Sequence, residues 1–377
     1  MRSVNIIIFL TLIYSASCDS HGDKYPVDKS ISVNEYATNF NVIEEAEGYK
    51  VLRVVENWSG KETIHDYKLI PTDEFKGRDV NENEISVPPA RVVCMSTSHI
   101  AYISALGKAE SIKAVSGAKY ISDSTVIQLF KDGKISDVGF ESSLNYEALI
   151  ALSPDIVFTY GISGENNIYI EKIKALGIKV IAVGDYMENH PLGKAEYLKF
   201  FGALYNCSEK ADSLYTYIKE EYLQTKARAE QFGKKRKVLL NAPWKDVWYI
   251  PGEDSYMSRL IKDAGGEVLG GKKGEFHSYP NSIEEVFKLS YNADLWLNPN
   301  NFQSISELRA SNPLFGKIEI LSKGKVFNNT KRNTETGGSD FWERGVVEPH
   351  LILKDLINIL HTNDTLSVNL KYYKMLN

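Results

Sequence analysis

Cysteine is scarce in this chain, with three residues in 377, so a disulfide-stapled scaffold is excluded. Cys18, Cys94 and Cys207 show no metal-type spacing, and whether the latter two pair is open from sequence alone. Histidine is also sparse. His21, His65, His99, His190, His277, His350 and His361 are scattered with no i, i+4 pair, so a bare zinc or manganese site has no ready ligand set. There is no excess of positive charge: 44 basic against 49 acidic residues give −5, which offers no field for nucleic acid. The pairs Gly265-Gly266, Gly270-Gly271 and Gly337-Gly338 fit neither a dinucleotide fingerprint nor a phosphate loop. No Gly-x-Ser-x-Gly elbow occurs either, which removes the commonest hydrolase signature.

Long apolar runs are missing too. The longest, Ile6 to Tyr14, falls short of the roughly 20 residues that span a bilayer. It follows Arg2 and precedes Ser15-Ala16-Ser17, the layout of a cleavable export signal over residues 1–17. Small residues directly before Cys18 resemble the lipobox of bacterial lipoproteins, which implies acylation of Cys18 as the new N-terminus. Ser15 stands where that motif usually has Leu. Residues 18–36 then read as a polar tether, and everything beyond Cys18 is expected outside the cytoplasm, in the cell envelope.

What is present is a change of texture along the chain. Residues 37–87 alternate short strands with turn residues, an antiparallel β decoration. After Pro88-Pro89 come continuous apolar strands alternating with helices, the pattern of a parallel sheet covered on both faces. Residues 208–232 carry the longest helical stripe, Ala211, Leu214, Tyr215, Ile218, Tyr222, Leu223 and Phe232, with Asn206 or Ser208 able to cap its start. A second βα series follows. The expected fold is therefore α/β: two Rossmann-like lobes with parallel sheets joined by one long α-helix. The divisions are 37–206 for the N-terminal lobe with its decoration, 207–232 for the connecting helix, 233–365 for the C-terminal lobe and 366–377 for a tail.

This plan resembles the iron-siderophore and cobalamin class of ABC-importer binding proteins. Residues 145–157, Asn-Tyr-Glu-Ala-Leu-Ile-Ala-Leu-Ser-Pro-Asp-Ile-Val, look like the family's helix, Pro-Asp and strand segment. Tyr256 to Gly266 is similar to its helix-to-Ala-Gly-Gly element, and Ser282 to Leu297 repeats the first pattern in the second lobe. The resemblance implies that Glu147 and Glu284 dock the chain on a membrane permease, with Glu285 the adjacent alternative. It implies the permease and its ATPase as partners, a metal chelate or corrinoid as ligand, no catalysis, no resident cofactor and a monomer held to the membrane only by its lipid. A ferric siderophore is preferred as cargo, with cobalamin and then haem behind it.

In open α/β sheets ligands bind at the carboxyl ends of the strands. That rule selects Ser98, His99, Tyr120 and Tyr160 in the first lobe. In the second it selects Trp244, Tyr249, Tyr256, Trp342 and Arg344, which would give flat apolar walls with polar tips and one cation. His99 and Tyr120 are also the residues that could ligate haem iron.

Overall fold

The computed structural model describes residues 31–32, 34–45, 48–58, 61–75, 81–140, 143–160, 168–361 and 369–377. The export signal, Cys18, most of the tether and the loop following Tyr160 lie outside them. Among the described residues, seventeen strands form four sheets. The first sheet holds β1 (Ile31–Ser32), β2 (Phe40–Glu44), β3 (Lys50–Trp58), β4 (Lys61–Pro71) and β5 (Glu84–Val87) in that order. Strands β1 to β4 are antiparallel, as the turn pattern predicts, but β5 lies parallel to β4.

The first lobe contains β6 (Val92–Cys94), β7 (Ile112–Val115), β8 (Ser136–Asp137), β9 (Ile156–Thr159) and β10 (Val180–Ala182). They run parallel in the order β10-β9-β6-β7-β8, a doubly wound arrangement that reverses at β6. Every residue of β6, β9 and β10 is buried, which is why these strands read as unbroken apolar runs.

The second lobe adds β11 (Arg236–Leu240), β12 (Val247–Pro251), β13 (Gly266–Val268), β14 (Ser278–Ser282), β15 (Leu295–Leu297), β16 (Val326–Asn328) and β17 (Lys374–Met375). Its sheet runs β13-β11-β15-β16-β17, with only β17 antiparallel. Two expectations change here. Strand β12 leaves the main sheet and pairs with β14 in a separate two-stranded ribbon. The closing residues are not a free tail: β17 edges the sheet, and Tyr372, Tyr373 and Leu376 are buried because Asp355 accepts the backbone N–H groups of Lys371, Tyr372 and Tyr373.

Two helices tie the lobes together. Pro191–Leu204 is buried along nearly its whole length, with Tyr197, Phe200 and Phe201 inside a core that also takes Phe158 from one lobe and Leu240 and Leu353 from the other. Beside it packs the connecting helix, Ser208–Ala229, about 33 Å long at 1.5 Å per residue. Lys210 donates to the Leu106 carbonyl of the first lobe at 2.8 Å. Near the other end Tyr222 donates to Asp263 of the second at 2.7 Å. The helix stops at Ala229, short of Phe232, and neither expected cap is used: Cys207 occupies that position without a side-chain bond, and Asn206 takes a φ of 50°. Cys94 and Cys207 are both free.

The β decoration lays Phe40, Leu52, Val54 and Leu69 into the same core, Phe40 packing 4.7 Å from Tyr197 and 5.5 Å from Phe200. Its leading segment is fastened by the buried Glu196, whose carboxylate accepts the N–H groups of Glu35, Tyr36 and Ala37 at 2.9 to 3.0 Å.

Candidate functional site

A cavity of about 820 Å³ opens between the lobes, inside the size range of small-molecule sites. Its second-lobe wall obeys the strand-end rule. Asn241, Asn298 and Asn329 directly follow β11, β15 and β16, and all three line it, together with Asn300, Asn301 and Asn333. Asn241, Asn298 and Asn300 sit at φ of 65°, 54° and 48°. Asparagine tolerates this left-handed backbone better than other side-chain-bearing residues. The sharp turns are held in place by Asn300, which donates to the carbonyls of Ala242 and Pro243, and by Asn241, which donates to Tyr249. The result is a wall of neutral amides.

Aromatic surface comes from Tyr256, Trp342 and Phe276, with Tyr186 facing from the first lobe. Ser255 caps the helix Tyr256–Asp263 and sets Tyr256 at its first turn, 6.3 Å from the Trp342 ring. Trp342 lies on a loop that grips the first lobe. Its neighbour Glu343 accepts Ser122 N–H at 2.7 Å and Asp123 N–H at 2.8 Å, and Asp340 accepts the Ser122 hydroxyl at 3.2 Å. Burial pushes the Glu343 carboxyl up to about 7, against the lowering effect of those donors. At Gly338 a Cβ would fall 2.7 Å from the Tyr120 carbonyl oxygen, so this close crossing requires glycine.

The first-lobe wall is the segment after β10: Tyr186, Met187, Glu188, Asn189 and Lys194. The Glu188 carboxylate is turned toward the decoration, accepting Thr38 and Asn39 N–H at 2.8 and 3.0 Å and the Asn39 amide at 2.9 Å. Burial raises its pKa while those four donor groups, including the Thr38 hydroxyl, lower it. Such an array of amides, hydroxyls and aromatic faces can hold and orient a ligand by hydrogen bonds and stacking. Among the described residues no group of three His, Cys, Asp or Glu side chains is placed to hold a metal ion.

Of the residues expected in the cleft, Tyr256 and Trp342 line the cavity and the others do not. His99 is fully buried, between Phe158 at 6.2 Å and Phe201 at 6.4 Å, and burial drops its pKa to about 4. Ser98 is buried beside it, its hydroxyl 3.0 Å from that of Ser96. The reason is that the helix Thr97–Ala105 starts early and buries every residue from Ser98 to Ile103. Tyr120 stands at the interlobe crossing against Phe140, and Tyr160 is half-buried against the core under β9. Trp244 is 62% exposed outside the cavity, and Tyr249 is exposed on β12. Arg344 faces the opposite side, 3.8 Å from Asp123 in a smaller cavity of about 400 Å³. Sequence reasoning missed the whole wall after β10, although that strand itself was visible and its carboxyl end could have been followed.

Glu147 and Glu284 are exposed at the same place in two helices, each the second residue, in Tyr146–Leu152 and Ile283–Ser290. Glu285 is occupied in a capping box, its carboxylate accepting Ser282 N–H at 3.1 Å.

The chain belongs to the periplasmic binding protein family, which it matches over residues 92–332. It is thus a binding protein of the periplasmic type, and solved structures that share its fold are themselves named as binding proteins. An uncharacterized lipoprotein of Methanocaldococcus jannaschii is 26% identical over 348 residues, 88% of this chain and 80% of that protein. A periplasmic binding protein of Veillonella parvula shares the fold with a TM-score of 0.60 at 14% identity, over 82% of this chain and 98% of that one. An ABC-type Fe3+-hydroxamate transport protein of Saccharomonospora viridis does so at 0.55 and 15% identity, over 84% and 99%.

Proposed function

We propose that this chain is the receptor lipoprotein of an ABC importer that captures an iron chelate, a siderophore, in the interlobe cavity and hands it to the permease. The carrying observation is the cavity itself: both lobes wall it, aromatic rings line it, and its polar groups are mostly neutral amides and hydroxyls. A ligand wedged there touches both lobes and favours one arrangement of them. Two helices sharing one core with both lobes limit that rearrangement to a small adjustment. A corrinoid is the second reading, because amides and flat aromatic walls suit its amide-fringed ring equally well. Acylated Cys18 would keep the loaded receptor at the membrane, and Glu147 and Glu284 would meet basic residues of the permease, fixing docking register.

Titrating the soluble chain from Asp19 onward with ferric siderophores, haem and cobalamin, followed by tryptophan fluorescence, tests the assignment. One ligand should quench saturably at sub-micromolar concentration. Trp342→Ala should weaken it about 10- to 100-fold, as loss of a buried aromatic anchor does, whereas Trp244→Ala should leave affinity within about twofold. Silence across the panel would refute the iron and corrinoid readings together.

A separate measurement addresses docking. In vesicles carrying the permease and its ATPase, Glu147→Ala with Glu284→Ala should cut uptake by about tenfold or more, the scale expected when paired rim charges are lost. Ligand affinity should stay unchanged; a matching drop in affinity would remove these residues from the permease interface.

A further inference from the structure

Lys194 is the one lysine or arginine among the described residues that line the interlobe cavity, which His277 also lines. It sits in the first turn of Pro191–Leu204, where Tyr102 donates to its carbonyl at 2.8 Å and fixes the backbone. Its ammonium reaches across the cleft to 4.9 Å from the Tyr256 ring of the other lobe. The side chain is half-buried at the cavity wall, and its ammonium has three protons to donate. Yet the described residues give it no hydrogen bond and no ion pair, only the aromatic face and two carboxylates acting at longer range. Those carboxylates are committed elsewhere. Glu188 is filled by Thr38 and Asn39, and Asp185 is buried at 3.3 Å from the Tyr102 hydroxyl. Burial pulls the Lys194 pKa down while Asp185 and Glu188 hold it up. An anion arriving in the cavity would supply the missing partner.

We propose that Lys194 is the anchor for an anionic oxygen of the ligand, so that the receptor selects ligands bearing such a group over uncharged ones of similar shape. The assignment rests on the cavity being the ligand site. With neutral amides and hydroxyls making up most of the remaining polar wall, one cation matches one exposed anionic oxygen rather than a highly charged complex. A trianion would bury two uncompensated charges, at a heavy desolvation cost. Two sources carry the required chemistry: a carboxylate on an iron chelate, or the phosphodiester of a corrinoid.

The test is calorimetric titration of the wild-type chain and of Lys194→Met and Lys194→Arg with four probes. These are a neutral ferric trihydroxamate, a ferric α-hydroxycarboxylate complex, a ferric tris-catecholate trianion and cyanocobalamin. The carboxylate complex or cyanocobalamin should bind most tightly to the wild type, and which of the two does so names the source. Lys194→Met should weaken that probe about 10- to 100-fold, the range of one charge-assisted hydrogen bond. Lys194→Arg should recover most of the loss, and the neutral probe should change by less than about threefold, which also reports that the variants fold. The wild-type affinity for the anionic probe should fall at alkaline pH as the ammonium deprotonates, and the arginine variant should not follow. Equal loss for neutral and anionic probes, no loss for either, or tightest binding of the trianion would each overturn the anchor while leaving the receptor intact. Failure of all four probes to bind the wild type would instead remove the iron-chelate and corrinoid readings, and the anchor with them.

Discussion

Replacing Glu196 by Ala is expected to cost roughly 3–5 kcal/mol of stability, as removal of a buried, paired charge does. Three backbone N–H groups, of Glu35, Tyr36 and Ala37, would lose their acceptor inside the protein, and Lys199 would lose its 2.8 Å partner. Glu196→Gln should cost less, because one carbonyl oxygen remains to accept. Urea midpoints of the three proteins measure this directly, and limited proteolysis should open a site within residues 34–40 in the Ala variant first. A loss below about 1 kcal/mol would mean that the hydrophobic contacts of Phe40 hold the segment without the carboxylate.

Acid should destabilise the protein through His99. Its folded-state pKa, about 4, lies below the ordinary imidazole value of 6.5 because burial disfavours the charged ring. The unfolded chain therefore binds a proton that the folded chain refuses, so the stabilising effect is complete above pH 6.5 and is lost as pH falls toward 4. Between pH 7.5 and 4.5 this one group is worth about 2–3 kcal/mol. His190, also lowered to about 4, adds in the same direction. Glu343, raised to about 7, opposes them: its unfavourable ionisation is relieved as pH falls from 7 toward 4.5. Comparing wild type with His99→Gln isolates the ring. The variant should be less sensitive to acid by about the amount stated, read from urea unfolding at both pH values. Parallel pH profiles would show that the folded protein admits the charge at this position.

The architecture was legible because its signals are local and redundant. The buried strands Val92–Cys94 and Ile156–Thr159 have no polar alternation, the long stripe from Ala211 to Tyr222 has helical spacing, and the helix, Asp and strand pattern repeats in the second lobe. Helix ends were less legible, since Asn206 looks like a cap yet takes a left-handed turn. The cavity was half legible. Strand ends pointed to the right faces of the second lobe, but Trp244 and Trp342 look alike in sequence and only the loop grip of Glu343 sends Trp342 inward. The strand-end rule also marks the loop Asn298-Pro299-Asn300-Asn301, but nothing local marks its amides as a binding wall, because left-handed asparagines are what turns contain. Lys194 carried no signal in the sequence, since nothing local reveals that its ammonium meets Tyr256 from a segment 62 residues later. His99 failed for the opposite reason: three hydroxyl residues before it suggested a loop, whereas the helix had already begun and turned it inward.

The single core running through both lobes separates two ideas of modularity. As a clamp the molecule has two parts, one on each side of the ligand. As a folding unit it has one, since Phe158, Phe201, Leu240 and Leu353 belong to the same buried cluster and the helix Pro191–Leu204 is shared by all of it. Neither half can be excised or grafted onto another receptor without exposing that shared interior. Diversification of this scaffold is accordingly cheapest in the loops at the strand ends, where the asparagines lie, and most expensive in the middle, where recognition and foldedness meet.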